Sequence, residues 1–166
     1  MKILIEQEPS GGFGIQDSAI LSHHTATAAA MPSRKNPVHA LFVCICTYLQ
    51  SKGVIRSADL LVKDLLAREA SGSTVIADQL ANPHAQGPFV DECLLLYLKL
   101  SRPMPQWDGS HDVSRLLLIL IPQDPSMKDL RYLRDLYRRM GDEKVLGLLG
   151  TGSITDVRQI LTTEGK

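Results

Sequence analysis

RLLLILIPQDPSMKDLRYLRDLYRRM, residues 115–140, is the stretch on which the fold turns. Its first part, Leu116 to Ile121, is an unbroken apolar run closed by Pro122. A strand with one wet face alternates apolar and polar residues, whereas a strand covered on both faces need not. Residues 115–123 therefore read as a buried strand. The period then changes. Ser126 stands where a helix cap is wanted, and Leu130, Leu133, Leu136 and Tyr137 follow on one helical stripe. That spacing predicts a helix from Met127 to about Met140. A buried strand passing straight into an amphipathic helix is a unit of an α/β sheet with helices on its faces.

Upstream of it, residues 89–100, FVDECLLLYLKL, contain a second buried-strand candidate, and residues 102–114 form the loop or bend between the two. Asn36 caps a helix with Pro37 at its first position, and helical spacing persists to Lys52-Gly53. Ser57 opens another helix that ends at Ser71-Gly72. Residues 73–77 read as a short strand and residues 78–88 as a loop. Short helices around 142–149 and 153–162, capped by Asp142 and Ser153, finish the chain. At the other end, residues 2–5 and 19–22 read as short strands, with a glycine-rich joint at 9–14 that lacks the GK[ST] ending of a phosphate loop. The expected class is α/β: one domain with a mostly parallel or mixed central sheet and helices on both faces. Residues 1–35 form a poorly patterned segment of that domain, and residues 36–166 its body.

Composition narrows the function classes. The 166 residues carry 18 Lys plus Arg and 18 Asp plus Glu, a formal net charge of zero. Binding driven by phosphate neutralisation wants a basic surplus, so nucleic acid is not an expected partner. The three cysteines, Cys44, Cys46 and Cys93, lie in or beside apolar runs, as buried reduced thiols do, and no paired CxxC motif points to zinc. The longest apolar runs, residues 40–46 and 116–121, fall far short of the roughly 20 residues that cross a bilayer. A cytoplasmic protein with no direct membrane insertion is expected.

The chemistry concentrates in LLAREASGSTVIADQLANPHA, residues 65–85. A helix ending in Arg68-Glu69, a strand containing Thr74 and a loop leading to Ala81-Asn82-Pro83-His84-Ala85 together resemble the enzyme IIA domain of the phosphoenolpyruvate-dependent sugar phosphotransferase system, mannitol/fructose type. The pattern is similar also to the nitrogen-type regulatory enzyme IIA. The resemblance runs on through residues 103–107, the strand ending in Pro122 and the helix at 130–142, and so covers residue 36 to the C-terminus. It implies that His84 accepts a phosphoryl group from phospho-HPr and passes it to a cysteine or histidine of enzyme IIB, which serves the membrane enzyme IIC. It implies no metal and no organic cofactor. The alternative is a regulatory module in which phosphorylation of His84 switches binding to a protein partner.

The residue types suit this chemistry. A neutral imidazole is a nucleophile near neutral pH. Pro83 restricts the backbone before it and pushes Asn82 toward an extended conformation. Phosphoryl transfer needs alignment and charge neutralisation, and the planar fork of Arg68 can hold two phosphoryl oxygens. Glu69 reads as a structural acceptor. Thr74 either bonds the phosphoryl group or the imidazole, or is simply a β-branched strand residue. Asp129 departs from the family pattern, because it stands where members commonly carry a second active-site histidine. A carboxylate there either repels the phosphoryl oxygens or orients the imidazole, unless it serves its own helix and points away. His23-His24 lack a third metal ligand. His111 is expected at the opposite sheet end from His84. Trp107 is expected to pack against the body.

Overall fold

A computed structural model describes residues 1–7 and 36–163. The glycine-rich stretch 9–14, the strand expected at 19–22 and His23-His24 lie outside the described residues. In chain order the elements are β1 (Lys2–Gln7), α1 (Pro37–Ser51), α2 (Ala58–Ala70), β2 (Val75–Ala77), β3 (Gln79–Ala81), β4 (His84–Gly87), β5 (Leu94–Met104), β6 (Val113–Pro122), α3 (Met127–Met140), α4 (Glu143–Thr151) and α5 (Ile154–Thr162).

Strand β6 is the axis of the sheet. It pairs antiparallel with β5 on one side, and β5 pairs parallel with β1. On its other side β6 carries two short parallel strands end to end. β3 lies along Val113–Leu116 and β4 along Ile119–Pro122. β2 closes that side antiparallel to β3. The sheet is therefore mixed. The period-2 rule sorts the apolar run of β6 onto two faces. Leu116, Leu118 and Leu120 join a core with α1 and α2, while Leu117 and Ile119 join a second core with α3, α4 and α5. Each such leucine contributes about 1.5–3 kcal/mol by leaving water.

The helices start where short polar residues accept backbone N–H bonds. Asn36, Ser57, Ser126, Asp142 and Ser153 cap the five helices in turn, and Ser153 forms a full capping box with Asp156. Buried Arg115, at the start of β6, donates to the Tyr97 hydroxyl at 2.7 Å and to the Gly152 carbonyl at 3.2 Å, while Tyr97 donates to the Leu149 carbonyl at 2.6 Å. This links the sheet to the carbonyl-rich end of α4, where a cation is favoured. Gly150 lets α4 approach the β2–β3 turn, because a Cβ there would stand 2.6 Å from the Asp78 carbonyl oxygen.

Three expectations need correction. Residues 78–88 are not a plain loop, since Gln79–Ala81 and His84–Gly87 pair with β6. Those ladders use main-chain groups only, so the turn-like side chains hide them. Strand β5 continues to Met104, into the region expected to bend. The α3 stripe also divides: Leu133 and Leu136 are buried, whereas Leu130 and Tyr137 are 41% and 44% exposed. The helix is rotated so that Asp129, Leu133, Leu136 and Met140 meet the sheet.

Burial pushes the Cys46 thiol up to about 12, from an ordinary value of 9.0. The unfolded chain then loses this proton before the folded one does. Stability from this group is full below pH 9 and falls by about 1.4 kcal/mol per unit as pH rises from there toward 12. Denaturant melts at pH 8 and pH 10.5 should show a smaller loss for Cys46→Ala than for the parent chain. Equal losses would place the titration elsewhere.

Candidate active site

The C-terminal turn of α2 and the start of β4 meet at a surface cleft. Asp64, Ala67, Arg68 and Ser71 line one wall, and His84, Ala85 and Gln86 the other. Arg68 lies in the last turn of α2, with its Nη1 donating to the Gly72 carbonyl at 2.9 Å. This bond aims the guanidinium across the cleft. Its Nε donates to Nε2 of His84 at 3.2 Å.

The backbone around His84 is fixed from several directions. The Asn82 N–H donates to the Thr74 carbonyl at 2.8 Å, and the Ile119 N–H donates to the Pro83 carbonyl at 3.1 Å. Pro83 has no N–H to give, so the ladder breaks there and the strand beside β6 is split into β3 and β4. His84 Nδ1 lies 3.1 Å from the Asn82 carbonyl oxygen. A carbonyl only accepts and an arginine Nε only donates. Nδ1 therefore carries the proton and Nε2 presents its lone pair to the cleft. The neutral ring is held in the tautomer whose free nitrogen faces Arg68.

A half-buried acidic group supports this corner from behind. Glu69 accepts from the Thr74 hydroxyl and, at 3.2 Å, from Trp107 Nε1. Trp107 is buried and meets Phe42 edge-on, with ring centroids 5.7 Å apart. Thr74, 2% exposed, thus spends its hydroxyl on Glu69 and its carbonyl on Asn82. Chemically, the cleft offers a neutral imidazole nucleophile beside a fixed planar cation, open to a large partner.

A family profile described as "Phosphoenolpyruvate-dependent sugar phosphotransferase system, EIIA 2" matches residues 35–164. The chain belongs to this EIIA family. Phosphotransfer in the sugar phosphotransferase system is the work of that family. The 2-O-alpha-mannosyl-D-glycerate-specific EIIABC component of Escherichia coli (strain K12) is 28% identical over 142 residues, covering 82% of this chain and 21% of that protein. The chain thus spans about a fifth of that relative's length. Nitrogen regulatory protein IIA-Ntr from Neisseria meningitidis superposes with a TM-score of 0.56 at 26% identity, over 75% of this chain and 86% of its own. IIA mannitol from Escherichia coli shares the fold, with a TM-score of 0.52 at 16% identity, over 76% of this chain and 90% of its own.

Within this EIIA fold the candidate residues do not all converge. Arg68 and His84 are in contact, and Thr74 reaches the site through the Asn82 backbone. Asp129 sits in the first turn of α3, where its N–H is capped by Ser126. Its buried carboxylate lies 3.4 Å from the Met1 amino group and touches the Cys93 thiol, which burial and this carboxylate together push up to about 11. The hydrogen-bond partners of the His84 ring are Arg68 and Asn82. An Asp129→Asn variant is therefore expected to lose about 1–2 kcal/mol of stability while keeping its phosphoryl-transfer rate. A changed rate at equal stability would bring Asp129 into the site. His111 is exposed and its Nδ1 lies 2.9 Å from Asp108. Asp108 also accepts from Ser73, and these bonds hold its carboxyl well below the usual range.

Two residues of the site escaped sequence reasoning. The side-chain amide of Asn82 donates through Nδ2 to the Leu117 carbonyl at 2.6 Å. Its Oδ1 accepts from the Tyr137 hydroxyl at 3.2 Å. Tyr137 also feels the charge of Arg68. Asn82 in a loop suggested only a backbone role, and Tyr137 in a leucine stripe suggested only core. The flanking Arg134 and Arg138 were the available hint that this part of α3 turns toward the surface.

Proposed function

We propose that this chain is a phosphocarrier that accepts a phosphoryl group from phospho-HPr on His84 Nε2 and passes it to an enzyme IIB. The observation that supports this most is the paired hydrogen bonding of the His84 ring: Nδ1–H on the Asn82 carbonyl and Nε2 on Arg68. In the resting site the Arg68 Nε–H covers the lone pair that must attack. As the donor docks, the guanidinium moves off Nε2 onto the incoming phosphoryl oxygens. The Nε2 lone pair forms the new bond to phosphorus, and the old bond breaks with its electron pair returning to the donor. Nδ1 keeps its proton throughout, and the Asn82 carbonyl stabilises the positive charge that builds on the ring. Transfer onward reverses these steps, with a cysteine or histidine of enzyme IIB attacking the phosphorus. Donor and acceptor place the chain in the cytoplasm, in line behind a membrane enzyme IIC. The cleft's open form suits a protein donor better than a small molecule, which an enclosed pocket would bury.

A regulatory role for the same phosphorylation is the second reading, favoured by the 26% identity to the nitrogen regulatory IIA-Ntr. Incubation with enzyme I, HPr and phosphoenolpyruvate, read by intact mass, should add one phosphoryl group. Adding a purified enzyme IIB should then discharge it. Absence of any uptake overturns the phosphocarrier reading, and uptake without discharge to IIB domains favours regulation.

A further inference from the structure

We propose that Asn82 and Tyr137 are positioning residues for His84, acting in series to hold its ring in the Nδ1–H tautomer. This rests on the reading of His84 as the phosphoacceptor. Asn82 is 5% exposed, and its amide has both ends engaged. The Leu117 carbonyl can only accept, so the end that meets it at 2.6 Å is Nδ2 and the end that meets Tyr137 is Oδ1. The amide is thereby oriented without ambiguity. One end is tied to the central strand β6 and the other to helix α3.

The main chain of the same residue does the work at the site. The Asn82 N–H is tied to Thr74 and its carbonyl receives the His84 Nδ1 proton at 3.1 Å. Four hydrogen bonds therefore converge on one residue, two residues before the nucleophile. If the amide is freed at its Tyr137 end, a buried Oδ1 loses its donor. The residue then gains a reason to turn, and its carbonyl turns with it. The imidazole then loses the acceptor of its Nδ1 proton, and only the Arg68 Nε–H still favours that tautomer, so a fraction of the rings carry the proton on Nε2 with Arg68 displaced. A ring with the proton on Nε2 has no lone pair there to attack phosphorus. Tyr137 thus reaches the nucleophile through Asn82, which lies 55 residues before it in the chain.

The test is Tyr137→Phe, which removes one hydroxyl from a half-exposed ring, with Asn82→Ala as a second variant. The first readout is the His84 tautomer in the unphosphorylated protein, from long-range nitrogen–proton NMR correlations at a pH where the ring is neutral. The parent should show Nδ1–H, and both variants a mixture with Nε2–H. The second readout is single-turnover transfer from phospho-HPr. The rate constant at saturation should fall by about tenfold, with the half-saturating HPr concentration unchanged. An unaltered tautomer with an unaltered rate constant overturns the proposal. So does a change confined to the half-saturating concentration, which would make Tyr137 a docking contact. If the parent chain takes no phosphoryl group, the phosphocarrier reading fails by itself, and the tautomer readout still decides the positioning role.

Discussion

A His84→Ala variant is expected to take up no phosphoryl group from phospho-HPr, while its circular dichroism and melting remain close to those of the parent. The loss should be complete because no other residue lining the cleft is a histidine that could take its place. Arg68 is always protonated, Thr74 has given its hydroxyl to Glu69, and Ser71 donates to the Ala67 carbonyl at 2.9 Å. The fold should survive because His84 is only half-buried at an edge strand, and that strand is held by main-chain bonds to β6. Truncation gives up the Arg68 and Asn82 contacts of the ring, worth about 1–2 kcal/mol each at this half-buried site. Arg68 keeps its bond to Gly72. Persistent labelling would move the phosphoacceptor elsewhere, and among the described residues the exposed His111 would be the first to check.

The second large effect is expected at Arg68. Arg68→Ala should slow transfer by about 10³-fold and Arg68→Lys by about 10²-fold. The lysine keeps a positive charge, but it cannot hold Gly72 with one nitrogen and a phosphoryl oxygen with the others. The planar fork does both from a fixed position. Stability should change little, because the arginine sits at the surface end of α2. The two variants should also remove the donor on Nε2 in the resting state, exposing the lone pair. If that covering bond were the dominant effect, Arg68→Ala would react faster than the parent. Stopped-flow or quench-flow transfer from phospho-HPr distinguishes the signs, and a faster or unchanged Arg68→Ala would remove the proposed role in neutralising the phosphoryl oxygens.

Much of the fold was legible because it is written in periodicity and caps. The unbroken apolar run of β6 requires cover on both faces, and two cores are found there. Asn36, Ser57, Ser126, Asp142 and Ser153 mark helix starts through chemistry local to each turn. β3 and β4 were not legible, because Asp78, Asn82, Pro83 and Gly87, in and around them, are turn-forming types and the pairing with β6 ignores side chains. The division of the α3 stripe was hidden for another reason. Periodicity says that Leu130, Leu133, Leu136 and Tyr137 share a stripe, but only packing against the sheet sets the rotation that buries the second and third and exposes the others.

The site divides in the same way. The run from Arg68 to Ala85 drew attention to itself through its resemblance to a family, not through spacing alone. Nothing in a separation of 16 residues says that Arg68 Nε will meet His84 Nε2. The Asn82–Tyr137 bond is a tertiary contact between α3 and the β3–β4 junction, set by how the helix packs rather than by any local pattern. Asp129 shows the limit of register. Alignment can put a residue in a histidine's place, yet the direction of its side chain depends on the helix rotation, and here the carboxylate meets Met1 and Cys93.

The central claim is that Nε2 of His84 forms the bond to phosphorus. It is tested most directly by phosphorylating nitrogen-15-labelled protein with enzyme I, HPr and phosphoenolpyruvate and recording the phosphorus–nitrogen coupling of the product. One phosphorylated histidine is expected, His84, with phosphorus coupled to Nε2 and a proton retained on Nδ1. Phosphorus on Nδ1, on another residue, or on none would contradict it.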